Sequence, residues 1–118
     1  MKSIQVHPIP GIPENVQGDD VAAAIIEALQ TKQMELEPGD ILVVTHKIIS
    51  KAEGRFIDAD DDAAYRAAVE RESRSIIRRR GNLIIAQTSH GFVCANAGVD
   101  RSNVTDGRAV LLPIDPDR

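Results

Sequence analysis

From residue 21 the apolar positions Val21, Ala24, Ile25, Ala28 and Leu29 fall at i, i+3, i+4, i+7 and i+8, the stripe of an amphipathic helix. Gly18, Asp19 and Asp20 precede it, and the acidic pair suits both an N-cap and the positive end of the helix dipole. A second helix is predicted over DADDDAAYRAAVERESRSIIRRRG, residues 58–81. Acids crowd its first turn, Arg78, Arg79 and Arg80 crowd its last, and Gly81 stands where a C-terminal cap belongs. Tyr65, Val69, Glu72 and Ile76 keep a helical period, with Glu72 the polar exception on that face.

Elsewhere the period changes. ILVVT, residues 41–45, follows the turn EPGD and reads as a buried, β-branched strand. Residues 3–6 and 56–57 are shorter strand candidates, and 109–115 is a last strand. NLIIAQT (82–88) and GFVCAN (91–96) predict a hairpin around Ser89, His90 and Gly91. HKIISKAEG fits two templates: Ile48 and Ile49 suit a strand, while the Lys47–Lys51 spacing suits one helical turn. HPIPGIPEN, with three prolines, is a stiff loop because proline fixes φ and removes a donor. The expectation is one α+β domain over 1–118, a mixed sheet of about five short strands with two amphipathic helices. The closing LLPIDPDR follows an apolar strand with nothing to seal it, and further protein is expected beyond it.

Composition narrows the class. A chain of 118 residues has room for a single modest core, and with 3% aromatics and no Trp that core must come from Ile, Val, Leu and Ala. The net charge of −4 argues against a dedicated nucleic-acid binder. One cysteine, Cys94, supports neither an internal disulfide nor a thiolate-rich zinc site, which suits a reducing compartment. The N-terminus lacks a signal-peptide apolar region, and no apolar run approaches the roughly 18 residues of a membrane helix. A cytoplasmic protein bound to neither membrane nor nucleic acid is expected.

Candidate chemistry clusters in three places. In GFVCANAGVDRSN, apolar residues lead into Asn96, Gly98, Asp100, Arg101, Ser102 and Asn103. Oxygen ligands of this kind suit magnesium or manganese, with Asp100 the carboxylate; alternatively Asp and Asn simply bond their own backbone in a turn. Lys47 and Lys51 flank Ser50 just behind a predicted strand, where lysines meet phosphates or merely lead into solvent. His46 could donate to a phosphate, although a lone histidine is more often structural. In the proline loop, Gly11 permits close backbone approach to a planar ligand. His90 and Cys94 lack any thiolate-stabilising neighbour, so Cys94 is better read as a small core residue.

Four runs together, GIPENVQGDD, GDILVVTHKIISKAEGR, HGFVCANAGVDRSNV and LLPIDPDR, resemble the coenzyme F-420 gamma-glutamyl ligase family in that order. The resemblance covers the chain apart from 58–80 and is most specific in KAEGR and CANAGVDRSN. It implies a GTP-dependent ligase that joins L-glutamate to coenzyme F-420-0, with Mg2+ or Mn2+, and K+ as a candidate further ion, acting as a homodimer. By the resemblance Asp100 is the metal ligand, and Pro10, Gly11, Ile12, Pro13, His46, Lys47, Lys51 and Asn103 contact the nucleotide. His46 and Lys47 stand where some relatives use small hydroxyl residues. Family members run to about twice this length and carry a later Asp-Thr-x-Gly-Arg element with further metal ligands. The expectation is therefore the N-terminal part of such a ligase, inactive alone, with a non-catalytic nucleotide- or metal-binding module or partner subunit as the alternative.

Overall fold

A computed structural model describes residues 2–102 and 106–115. Among these residues five short strands and three α-helices make an α+β fold, with the order α1 (Val21–Thr31), α2 (His46–Ala52), β1 (Phe56–Asp58), α3 (Asp62–Glu72), β2 (Ser73–Arg80), β3 (Leu83–Thr88), β4 (Val93–Ala95) and β5 (Arg108–Val110). The strands do not join into one mixed sheet. β1 pairs with β5, and β2, β3 and β4 form a separate meander, every pairing antiparallel. α1 and the 83–96 hairpin form as expected; Asp20 caps α1 by accepting from the Ala23 amide at 2.9 Å.

The largest departure concerns 58–80. Helix α3 stops at Glu72, and residues 73–80 are strand β2, so this stretch is half helix and half sheet. Ser73 leaves the helical region (φ −89°, ψ 120°), and its hydroxyl donates to the Val69 carbonyl at 2.6 Å, closing the last turn. Beyond it, Ile76 and Ile77 prefer the pleated conformation, and pairing with β3 supplies ladder bonds that a longer helix would forgo. Gly81 is no helix cap. With φ 58° it opens the two-residue turn that sets Arg80 opposite Leu83. The arginines instead line an exposed edge strand, where charge discourages edge-to-edge pairing.

A second correction concerns 41–45. Ile41 and Val43 are 87% and 88% exposed and belong to no strand, since no other described segment pairs with them. Residues 3–6 are likewise unpaired and exposed, and the last strand is shorter than expected. The ambiguous 46–52 is helix α2, one turn of which carries both lysines. The radius of gyration is 17.0 Å, above the roughly 13–14 Å of a compact domain of this length.

The core is small-grained. Ala59, Ala68, Val69, Ile84, Ala86, Ala97, Val99, Ala109 and Leu111 form the buried cluster, with Ile57 and Tyr65 packed against it. Arg55 ties its edge together: Nε donates to the Leu112 carbonyl at 3.0 Å, and Nη2 meets Glu72 at 2.7 Å. That pair accounts for the polar exception on the α3 face. Arg55→Met should cost roughly 1–3 kcal/mol, because Glu72 and a carbonyl lose their donors in a part-buried site. Urea unfolding would register this as a lower midpoint at unchanged slope.

Candidate functional site

The three segments singled out in the sequence converge on α2. Its lysines, four apart, share one helix face and reach in two directions. Lys47 Nζ lies 2.5 Å from Asp100 Oδ2 and 3.5 Å from the Ser102 hydroxyl. Lys51 Nζ lies 2.8 Å from Glu14 Oε1, at the end of the proline loop. His46 is the exposed first residue of the helix. In the loop, Pro10, Gly11 and Pro13 are exposed and Ile12 is half-buried; Gly11 takes φ 93°, a conformation that disfavours side chains. Asn103 lies outside the described residues.

Asp100 is positioned from both sides. Asn96, Ala97 and Gly98 all have positive φ (49°, 51° and 74°), turning the chain left-handed just after β4. Asn96 holds that turn by accepting from the Ile84 amide at 3.0 Å. At Gly98 a Cβ would come within 2.6 Å of Leu112, so glycine is required there by space as well as by φ. The backbone then runs beside β5, with Asp100 and Val110 exchanging both amide bonds at 2.9 and 2.8 Å. The turn alternative is realised at the carboxylate, since the Ser102 amide donates to Oδ1 at 2.7 Å. Both carboxylate oxygens therefore have partners.

These partners set the titration. The hydrogen bond from Lys47, then those from Ser102, hold Asp100 down to about 2. Glu14 is likewise lowered, chiefly by its hydrogen bond from Lys51. Burial pushes the Cys94 thiol up, the wrong direction for a nucleophile, and the His90 ring stacks on Phe92 instead, with centroids 5.8 Å apart.

The donor set does not by itself make a metal centre. Among the described residues no three His, Cys, Asp or Glu side chains group closely enough to hold an ion. An ammonium group, that of Lys47, already sits on the Asp100 carboxylate. Sequence reading missed Glu14, the acid that binds Lys51, and Asn15, whose side chain is buried with its Nδ2 unpartnered among the described residues. Both follow PIPGIP directly, and only the fold brings Glu14 to α2 and buries Asn15. No helix among the described residues is long and apolar enough to cross a membrane.

A lysine-bearing helix thus stands between a proline loop and an Asp-containing turn on an α+β scaffold. Residues 11–118 match the model of the F420-0:Gamma-glutamyl ligase family, and the chain belongs to that family. It is 43% identical to the coenzyme F420:L-glutamate ligase of Methanothermobacter thermautotrophicus, over 92% of this chain and 50% of that protein. Its identity to the ligases of the same description from Methanopyrus kandleri and Halorubrum lacusprofundi is 36% and 35%, over 100% and 96% of this chain and 51% of each. The chain thus spans about half the length of the curated relatives it matches.

The Lys47–Asp100 pair yields a pH prediction. A carboxyl at about 2 in the folded chain lies below its unfolded value near 3.9. Its stabilisation is therefore complete above the unfolded value and is lost as pH falls through about 2. Lys47→Met should move the Asp100 titration upward toward the ordinary range, as followed by carboxyl NMR. The same change should cost at most about 1 kcal/mol at neutral pH, because the pair is partly exposed.

Proposed function

We propose that this chain serves in a coenzyme F-420 gamma-glutamyl ligase, contributing a nucleotide-binding edge of its active site. The convergence of Lys47 and Lys51 with the proline loop and Asp100 carries the reading. In such a ligase the carboxylate of F-420-0 attacks the γ-phosphorus of GTP, releasing GDP and forming an acyl phosphate. The amine of L-glutamate then attacks the acyl carbon, phosphate leaves with the bonding pair, and the nitrogen gives up a proton. A carboxylate is a poor electrophile until its oxygen becomes a phosphate leaving group, which is why the nucleotide is consumed.

This chain's own contribution is charge and position. Lys51 and Lys47 offer two ammonium groups about one helical turn apart, suited to successive phosphates. His46 at the head of α2 and the exposed backbone of Pro10, Gly11, Ile12 and Pro13 would flank the nucleotide, with Asn103 beyond Ser102 as a further contact. Each lysine must exchange a carboxylate of its own chain for a phosphate oxygen, so nucleotide binding would loosen the Asp100 and Glu14 pairs. When bound, Mg2+ or Mn2+ would neutralise phosphate charge next to Asp100. Its remaining ligands, and any K+, are assigned in this reading to protein beyond the described residues or to another chain. Exposed Ile41 and Val43 favour an assembly, either a homodimer or a chain completed by further sequence.

The lack of a three-ligand group among the described residues favours one second reading, a module that binds nucleotide without catalysis. The two part in a single assay. In a ligase containing this chain, Lys51→Met and Asp100→Ala should each lower glutamylated F-420 formation by about 10²-fold or more, as measured by mass spectrometry. The 118-residue chain alone should bind GTP and form no product. Full activity of Asp100→Ala would sink the site assignment, and product from the chain alone would sink the divided site.

A further inference from the structure

A cleft of about 220 Å³ opens between the start of α3, the β2–β3 turn and residues 96–101, away from the lysines of α2. Asp62, Tyr65, Arg66, Asn82, Asn96 and Arg101 line it. Its wall is rich in donors, two guanidinium groups and two amides against one carboxylate, in a chain whose net charge is −4.

Arg101 is braced. Nη1 meets Asp62 Oδ1 at 2.9 Å, Nη2 donates to the Ala59 carbonyl at 3.1 Å, and the guanidinium carbon lies 5.0 Å from the Tyr65 ring centroid. Tyr65 is fixed in turn by its hydroxyl, which donates to the Val99 carbonyl at 3.1 Å. A stacked, braced guanidinium loses little further freedom when it meets a planar carboxylate. One turn beyond Asp62 on α3, Arg66 also lines the cleft and donates to the side-chain oxygen of Asn82. A surface ion pair between Arg101 and Asp62 would need neither the second guanidinium nor the concavity.

We infer that this cleft binds a compact α-amino acid, with its carboxylate between Arg66 and Arg101 and its ammonium on Asp62. Size supports a small ligand, since the volume falls below the roughly 300–1,000 Å³ of drug-sized sites. Charge supports a zwitterion. Two cationic forks recruit an oxyanion, and the mostly exposed Asp62 supplies an acceptor at the mouth. Arg101 also directly follows Asp100, which faces Lys47. Successive side chains of an extended segment point to opposite sides, so the amino-acid cleft and the proposed nucleotide edge share one short stretch of chain. Naming the amino acid as L-glutamate rests on the ligase reading; recognition of an amino acid does not.

The test is an amide NMR titration of the ¹⁵N-labelled chain with L-glutamate, with glutarate (which lacks the ammonium) and with inorganic phosphate. L-glutamate should move the Tyr65, Asn82, Asn96 and Arg101 resonances saturably, and glutarate and phosphate, which lack the ammonium, should each do so at least about five-fold more weakly. Arg66→Met, on the exposed side of α3, should weaken L-glutamate binding about ten-fold or more while the remaining spectrum is preserved. Asp62→Asn should weaken L-glutamate but not glutarate, with α3 intact because Asp61 is its cap. No saturable shift, an equal response to glutarate or phosphate, or an unaffected Arg66→Met would each overturn the inference. L-glutamate binding in a protein that never ligates it would overturn the ligase reading alone. Ligation with the cleft resonances unmoved would overturn the cleft alone.

Discussion

Asp100 is the residue through which the parts of this structure are joined. Its backbone exchanges two hydrogen bonds with Val110, fixing the 96–102 segment to β5, and its side chain holds Lys47 of α2 and the Ser102 amide. A sheet edge, a helix and a turn are thus connected at one carboxylate. The pairing also explains why the chain tolerates three successive positive-φ residues just upstream. Left-handed backbone at Asn96 and Ala97 costs on the order of 1–2 kcal/mol per residue. It persists here because Asn96 anchors to Ile84, Ala97 is buried, and the exit strand is locked to β5. The strain is contained between two sets of hydrogen bonds, and what it achieves is the placement of adjacent side chains, Asp100 and Arg101, toward α2 and α3 respectively.

Charge on this edge is balanced before any ligand arrives. Lys47 is met by Asp100, Lys51 by Glu14 and Arg101 by Asp62. An anion binding here gains its own contacts only after displacing carboxylates, so the net gain is a difference between two similar ion pairs. Such exchange limits affinity for any single phosphate or carboxylate and favours ligands that engage several cations together.

Much of this could be read from the residues, and the failures have identifiable causes. Local signals worked where local physics decides. The Asp20 cap with its 3.6-period stripe gave α1, and 82–88 with 91–96 formed the expected hairpin. They failed where a distant partner decides. Residues 73–80 carry a charge pattern compatible with a helix end, and only pairing with β3 makes them a strand. Conversely, 41–45 has the composition of a buried strand but no described partner, and a strand without a partner is only an extended segment. At the site, the residues that carry recognisable motifs were legible, whereas Glu14, Tyr65 and Asp62 were not, because their roles arise from approaches across 37, 34 and 39 residues of sequence.

The distribution of apolar volume bears on how such a chain is stabilised. The buried cluster is dominated by alanines, while Ile4, Val6, Ile41 and Val43 are between 87% and 93% exposed. Full burial of an aliphatic side chain of this size is worth about 1.5–3 kcal/mol. Covering these four would therefore contribute several kcal/mol, comparable with the roughly 5–15 kcal/mol net stability of an ordinary domain. Helix α2, which carries Lys47 and Lys51, starts directly after 41–45, so ordering that segment would also fix it. Stability and geometry are on this account coupled: burial of Ile41 and Val43 would also stiffen the lysine face of α2, which the ion pairs to Asp100 and Glu14 already hold in place.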